Sequence, residues 1–258
     1  MSRVPVAQHS PTARWFIAAA LAGTLLLCAP AVCSADGAAA TAGVSNGAAV
    51  ATLSNLHSLS RWAYPQAESA VHQEPSAGSR SVARTRFLTP DGQAQVYLAL
   101  RSYTVEKATW ILVSVPGRPN GVAGWVPASA LGEMHVTREY LRVNRETLRA
   151  VLYREGRPVW TAPVGVGRPA FPTPAGHFYV TEELTPLADP FYGPYAIGTS
   201  AYAPTLSDWP GGGVVGLHGT DEPQLIPGRP SHGCIRLRNS DVASLWRLIA
   251  IGTPIEIV

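Results

Sequence analysis

Apolar and polar positions alternate with a period of two over much of this chain. In "LRAVLYREGRPVW", Leu148, Ala150 and Leu152 fall on one side, Glu155-Gly156 supplies a turn and Val159 lies on the return, so the pattern predicts a β-hairpin. "QVYLALRSY", "TWILVSV" and "VAGWVPASAL" read as further short strands separated by turn residues, with Asn120-Gly121 as a hairpin signal. "TPAGHFYVTEEL" gives another strand entered by a turn, and "PIEIV" a last one. Helical spacing is confined to Val242, Leu245, Trp246 and Ile249, behind a cap at Asn239 or Ser240 and ahead of Gly252 and Pro254. The prediction is a mainly β protein with one or two short helices.

The two ends of the pattern differ. Residues 1–35 carry Arg3 and Arg14, an apolar run from Trp15 to about Cys28 and a small-residue exit at Cys33-Ser34-Ala35, which is the layout of a secretory signal peptide. The apolar run is short of the roughly 20 residues that a spanning helix needs. Contact with a membrane is therefore expected only through this segment, if it is left uncleaved. Residues 36–60 are rich in Ala, Gly, Ser and Thr with almost no charge, and read as a flexible linker.

Charge and cysteine usage narrow the function. Loss of residues 1–35 removes two arginines and no acidic residue, so a formal charge of +3 falls to +1, and the electrostatic case for binding nucleic acid disappears. The same cut removes Cys28 and Cys33 and leaves Cys234 as the one cysteine. A lone thiol sent to an oxidising compartment has no disulfide partner, so reactivity becomes a reason for its presence. No internal repeat stands out, and "PGGGVVG" lacks the Lys-Ser/Thr of a phosphate loop.

Three groups of the second half can meet: His218 in "GLHGT", and His232 and Cys234 in "PSHGCIRL". A thiol attacks as its thiolate, and either imidazole could serve as its base. His232 and Cys234 would share a side only if the segment were extended through Gly233. Gly233, without a Cβ, would let a substrate carbonyl approach backbone N–H groups able to hold an oxyanion. Two other readings stand beside this one: an inert buried thiol, and a zinc site made of His218, His232 and Cys234 with water as a fourth ligand.

Family resemblance separates these readings. "LHGT" followed by "SHGCIRL", with "VGVGRPAFPTPAGHFYV" upstream and "RNSDVASLWRLIAIGTPIEIV" downstream, resembles the YkuD-type L,D-transpeptidase catalytic domain over about residues 136–258. The stretch "TWILVSVPGRPNGVAGWVPASAL" resembles the last strands of bacterial SH3-like domains. The expected architecture is thus an SH3-like small barrel over 61–132, followed by a β-sandwich-like catalytic domain over 133–258. The two are expected to be separable, with a chain starting near Gly132 keeping some activity.

The resemblance implies Cys234 as nucleophile and His218 as general base, oriented by the backbone carbonyl of Gly219, where the family often has Ser, at little cost. It further implies an oxyanion hole from the backbone N–H groups of His232, Gly233 and Cys234. Ser231, His232 and Arg236 match conserved positions of the "SHGC" block. The implied substrate is a peptidoglycan tetrapeptide stem, the implied product a 3→3 cross-link, and no metal or organic cofactor is required. Resolution of the thioester by water or by a protein lysine would make an L,D-carboxypeptidase or a protein-attachment enzyme, and a non-catalytic wall-binding module is the reading from another class. The implied location is the cell envelope. Carbapenems are expected to acylate the thiol. The segment from Asp189 to Gly213, with Tyr195 and Trp209, is expected to form an aromatic lid over the donor site.

Overall fold

A computed structural model describes residues 48–185, 189–207 and 210–258. The expected signal peptide, residues 36–47 of the expected linker, and Trp209 lie outside the described residues. What is described consists of two sheets in one compact unit.

The first sheet contains β1 (Ala49–Thr52), β2 (Ser60–Ala63), β3 (Ala70–His72), β4 (Ser81–Arg84), β5 (Tyr97–Val105), β6 (Ala108–Ser114), β7 (Ala123–Pro127) and β8 (His135–Thr137). They pair in the order β4-β3-β7-β6-β5-β2-β8, and β1 continues the β2 edge of β5. Among the described residues this is an open path from β4 to β8, not a closed ring. Ala63, Val71, Tyr97, Ala99, Ile111, Val113 and Val126 fill its core. Two expected boundaries move. The linker does not run to residue 60, because Ala49–Thr52 already pairs with Arg101–Thr104. This strand is fully exposed and contributes backbone hydrogen bonds rather than apolar side chains, so hydrophobic patterning gave no sign of it. The first sheet also extends past residue 132, since His135–Thr137 pairs with β2.

The second sheet holds β9 (Glu139–Asn144), β10 (Arg149–Arg154), β11 (Arg157–Pro163), β12 (Gly165–Gly167), β13 (Gly176–Leu184), β14 (Ala196–Thr199), β15 (Leu217–His218), β16 (Gly228–Ser231), β17 (Ile235–Arg236) and β18 (Pro254–Ile257). Its order is β11-β10-β9-β18-β13-β14-β15-β17-β12-β16. The β10–β11 hairpin turns at Glu155 and Gly156, both at positive φ (51° and 77°), the backbone of the tight turns that follow strand twist. Leu141, Val143 and Leu152 from one side of β13 meet Ile197, Leu217 and Ile235 from the other in one buried cluster. α1 (Asn239–Trp246) closes that cluster with Val242 and Leu245. The helix begins at Asn239, so Arg238 holds the cap position in place of the expected Asn239 or Ser240, and no side chain caps it. The Asn239 side chain is diverted, its Oδ1 accepting from Thr220 N–H at 2.8 Å.

The sheets share a third cluster, in which Trp62, Val96 and Leu98 of the first pack on Tyr179 of the second. The buried Tyr179 hydroxyl donates to the Val96 carbonyl at 2.9 Å, and the Thr89 hydroxyl donates to Glu182 at 2.7 Å. These contacts argue against the expected separability: cutting near Gly132 would expose Tyr179 and leave buried Glu182 without its donor.

Candidate active site

Strand pairing places the two chemical groups. β15 and β17 are parallel neighbours in which Leu217 pairs with Ile235 and His218 with Arg236. Leu217 and Ile235 are fully buried in the core, so His218 and Arg236 project to the opposite face. Cys234 lies two residues before Arg236 and shares that face. His218, Cys234 and Arg236 accordingly line one cleft.

The turn that delivers the thiol is held by two hydroxyls. Ser231 donates to the Cys234 carbonyl at 2.5 Å and accepts from Gly233 N–H at 3.1 Å. Thr173 donates to the Gly233 carbonyl at 2.7 Å and accepts from Gly167 N–H at 2.8 Å. Gly233 has φ 131°, and a Cβ there would meet nothing closer than 3.5 Å. That left-handed backbone conformation by itself favours glycine at this position. The same bonds bear on the expected oxyanion hole: of its three backbone donors, Gly233 N–H is already engaged by Ser231.

His218 is 3% exposed and its Nδ1 donates to the Gly219 carbonyl at 2.7 Å. Burial, with Arg236 nearby, lowers its pKa to about 4 against the opposing effect of that hydrogen bond. The ring is thus neutral near pH 7, with Nδ1 protonated and Nε2 free to accept a proton. Burial pushes the Cys234 thiol up, opposed by a backbone hydrogen bond from Gly216 and by Arg236. The thiol lies 3.9 Å from the Val214 carbonyl. Arg236 is buried, pairs with Glu222 at 3.0 Å and stacks over the Phe191 ring at 4.5 Å.

Other expected residues fall elsewhere. The segment through Gly233 is not extended, and His232 turns toward Arg168 and the Phe171 ring at the edge of the cleft. Tyr195 packs on Trp246 of α1, with ring centroids 5.1 Å apart, and is not part of the cleft wall. Nor is the aromatic segment one continuous lid, because its middle is β14, with Ile197, Gly198 and Thr199 buried inside the sheet. Phe191 and Tyr192 take the place proposed for Tyr195. They stand in a short 3-10 turn behind Asp189, whose side chain accepts from Phe191 N–H, and face His218 at 6.1 and 5.0 Å between rings. Their Pro and Gly neighbours in "DPFYGPY" were the available signal.

A thiol and an oriented neutral imidazole on one face of adjacent strands define a site of the kind used for nucleophilic acyl chemistry. Residues 138–257 match the model of the YkuD family, the L,D-transpeptidase catalytic domain. The chain is similar to the protein named L,D-transpeptidase YkuD of Bacillus licheniformis, 35% identical over 45% of this chain and 61% of that protein. It is also similar to the Escherichia coli protein named L,D-transpeptidase YcfS, 30% identical over 71% of this chain and 65% of that one. The chain thus spans somewhat less than two thirds of these relatives' length. Among solved structures it matches the catalytic domain of an Enterococcus faecium L,D-transpeptidase, 27% identical over 46% of this chain and 95% of that domain, with a TM-score of 0.36.

Proposed function

We propose that this protein is a peptidoglycan L,D-transpeptidase working through a Cys234 thioester in the cell envelope. The observation that carries the reading is His218: a buried, neutral imidazole, fixed through Nδ1 by the Gly219 carbonyl, lining the same cleft as the Cys234 thiol. Nε2 of His218 takes the thiol proton as sulfur attacks the carbonyl carbon of the third residue of a tetrapeptide stem. The oxyanion is held by backbone N–H of Cys234 and of its neighbour His232. The carbon–nitrogen bond to the terminal D-alanine then breaks, and His218 returns its proton to the departing amine. The side-chain amine of a second stem attacks the thioester, frees the thiol and forms the 3→3 cross-link. Arg236 keeps positive charge beside the sulfur, which favours the thiolate as it forms. The first sheet is read as an SH3-like module.

Incubation of the full chain with purified disaccharide-tetrapeptide tests this. Cross-linked dimers and released D-alanine by mass spectrometry are expected, absent in Cys234→Ala. Tripeptide monomers without dimers would replace transpeptidation by L,D-carboxypeptidase activity, and turnover surviving Cys234→Ala would end the thioester mechanism.

A further inference from the structure

The loop joining β6 to β7, residues 115–122, leaves the first sheet and reaches the wall of the cleft. Arg118 commits its guanidinium to three backbone carbonyls of that wall: Ala203 (3.3 Å from Nε and 3.0 Å from Nη2), Leu206 (2.6 Å) and Gly212 (2.7 Å). Asn120 makes a reciprocal pair with the main chain of Tyr202, donating to its carbonyl at 2.7 Å and accepting from its N–H at 2.9 Å. The guanidinium also covers the Tyr202 ring at 5.0 Å. Space has been made for it: a Cβ on Gly213 would lie 2.5 Å from Arg118 Nη2.

These contacts lead on to the thiol. Ala203 N–H donates to the Gly213 carbonyl and Val215 N–H to the Ala201 carbonyl, each at 2.8 Å, so the two runs of chain form one short antiparallel wall. Ala203, Leu206, Gly213 and Val214 of that wall line the cleft, and the Val214 carbonyl is the group beside Cys234 Sγ. Among the described residues the wall has only a short 3-10 turn, Pro210–Gly213, and a single bridge between Tyr202 and Val214, and Arg118 and Asn120 hold it from outside. A planar fork of donors can engage several carbonyls at once, which the point charge of lysine cannot.

We propose that Arg118 and Asn120 are positioning residues that set the width of the donor cleft, making the first sheet a working part of the acyl-donor site. This rests on the transpeptidase reading for its substrate, but the geometry has its own readout. In the full-length protein, the rate of Cys234 modification by the bulky N-(1-pyrenyl)maleimide is compared with that by iodoacetamide. In Arg118→Ala the bulky-to-small ratio should rise at least fivefold, with a smaller rise in Asn120→Ala and in Arg118→Lys. With disaccharide-tetrapeptide as donor, KM should rise at least fivefold in Arg118→Ala while kcat changes less than threefold. Should Arg118→Ala fail to fold, Asn120→Asp, which keeps the acceptor and loses the donor, carries the same comparison. A modification ratio within twofold of wild type in a folded variant overturns the inference. Wild-type protein inert toward the tetrapeptide would refute the transpeptidase reading instead, leaving the modification ratio to decide the role of Arg118.

Discussion

Gly219→Ala should damage this protein even though its main chain, not its side chain, orients the base. A Cβ at 219 would stand 2.3 Å from Asn239 Oδ1, 3.0 Å from the Gly193 Cα and 3.2 Å from the Tyr192 carbonyl. Asn239 can move away only by giving up Thr220 N–H, and leaving that buried donor unsatisfied costs about 1–3 kcal/mol. The backbone at Tyr192 and Gly193 must also retreat, and overpacking of this kind costs about 1–3 kcal/mol. Together the loss is about 2–6 kcal/mol, which at roughly 2–4 °C per kcal/mol for a chain of this size lowers Tm by about 4–24 °C. The displaced carbonyl of Gly219 would also release Nδ1 of His218, so acylation should fall beyond the loss of folded protein. Thermal unfolding by circular dichroism and Cys234 acylation followed by intact mass provide the measurements. Adding Asn239→Ala should relieve the closest clash, making the double variant less unstable than the sum of the singles by about 1 kcal/mol or more. A Gly219→Ala protein within 2 °C of wild type and equally active would refute this account. It would also restore the expectation, drawn from family resemblance, that serine or glycine here is a matter of indifference.

Cys234→Ala should abolish turnover with Tm changed by only a few degrees, read by the tetrapeptide assay and thermal unfolding; a retained rate would remove the nucleophile. The acid limb of kcat/KM should follow the His218 pKa of about 4, with His218→Ala losing about 10²- to 10⁴-fold at neutral pH; an acid limb between pH 6 and 7 would contradict a buried base. Glu182 is raised to about 7, chiefly by burial and by the nearby Asp91, against the hydroxyl of Thr89. The folded state therefore holds a proton that the unfolded chain releases at lower pH, so stability is greatest below the ordinary carboxyl range and falls as pH rises to about 7. Urea unfolding should show that slope between pH 4.5 and 7 in wild type and its loss in Glu182→Gln; identical slopes would disprove it. A carbapenem should add one mass adduct to wild type and none to Cys234→Ala, and an adduct that persists would place the reactive group elsewhere.

What was legible in the sequence follows from the range of each interaction. The β10–β11 hairpin and the last strand were readable because alternation and turn residues are local, and Glu155-Gly156 adopts the positive φ values that a tight turn asks for. The "SHGC" and "LHGT" blocks pointed to the thiol and the imidazole. Nothing local revealed that parallel pairing of Leu217–His218 with Ile235–Arg236 puts both on one face. Tyr195 and Phe191 are equally aromatic and stand in the same Gly- and Pro-rich stretch. One meets Trp246 and the other His218 because β14 begins between them and the helix. Ala49–Thr52 escaped notice since its pairing uses only backbone atoms. Arg118 stands two residues before Asn120-Gly121, and its partners are carbonyls more than eighty residues away, which leave no trace in composition.

The pKa directions of the central pair explain how the Cys234 thiol can be kept in an oxidising envelope, the location proposed here. Burial lowers the imidazole and raises the thiol, so the resting site holds its proton on sulfur instead of as a thiolate–imidazolium pair. The thiolate is the form that attacks oxidants and disulfides, and the neutral thiol is comparatively inert. Reactivity then has to come with the substrate. In the proposed reaction a stem seated between Phe191 and the Ala203–Leu206 wall would bring the electrophilic carbonyl to the sulfur, where backbone N–H donors would meet the charge forming on its oxygen. Proton transfer to Nε2 and attack by sulfur become one event, driven by the bound acyl group. Fixed walls matter more under this arrangement than under a permanent ion pair, because the thiol has no standing nucleophilicity with which to capture a poorly placed donor. The Gly219 carbonyl, the hydroxyls of Ser231 and Thr173, and the grip of Arg118 on the wall all serve that single requirement of placement.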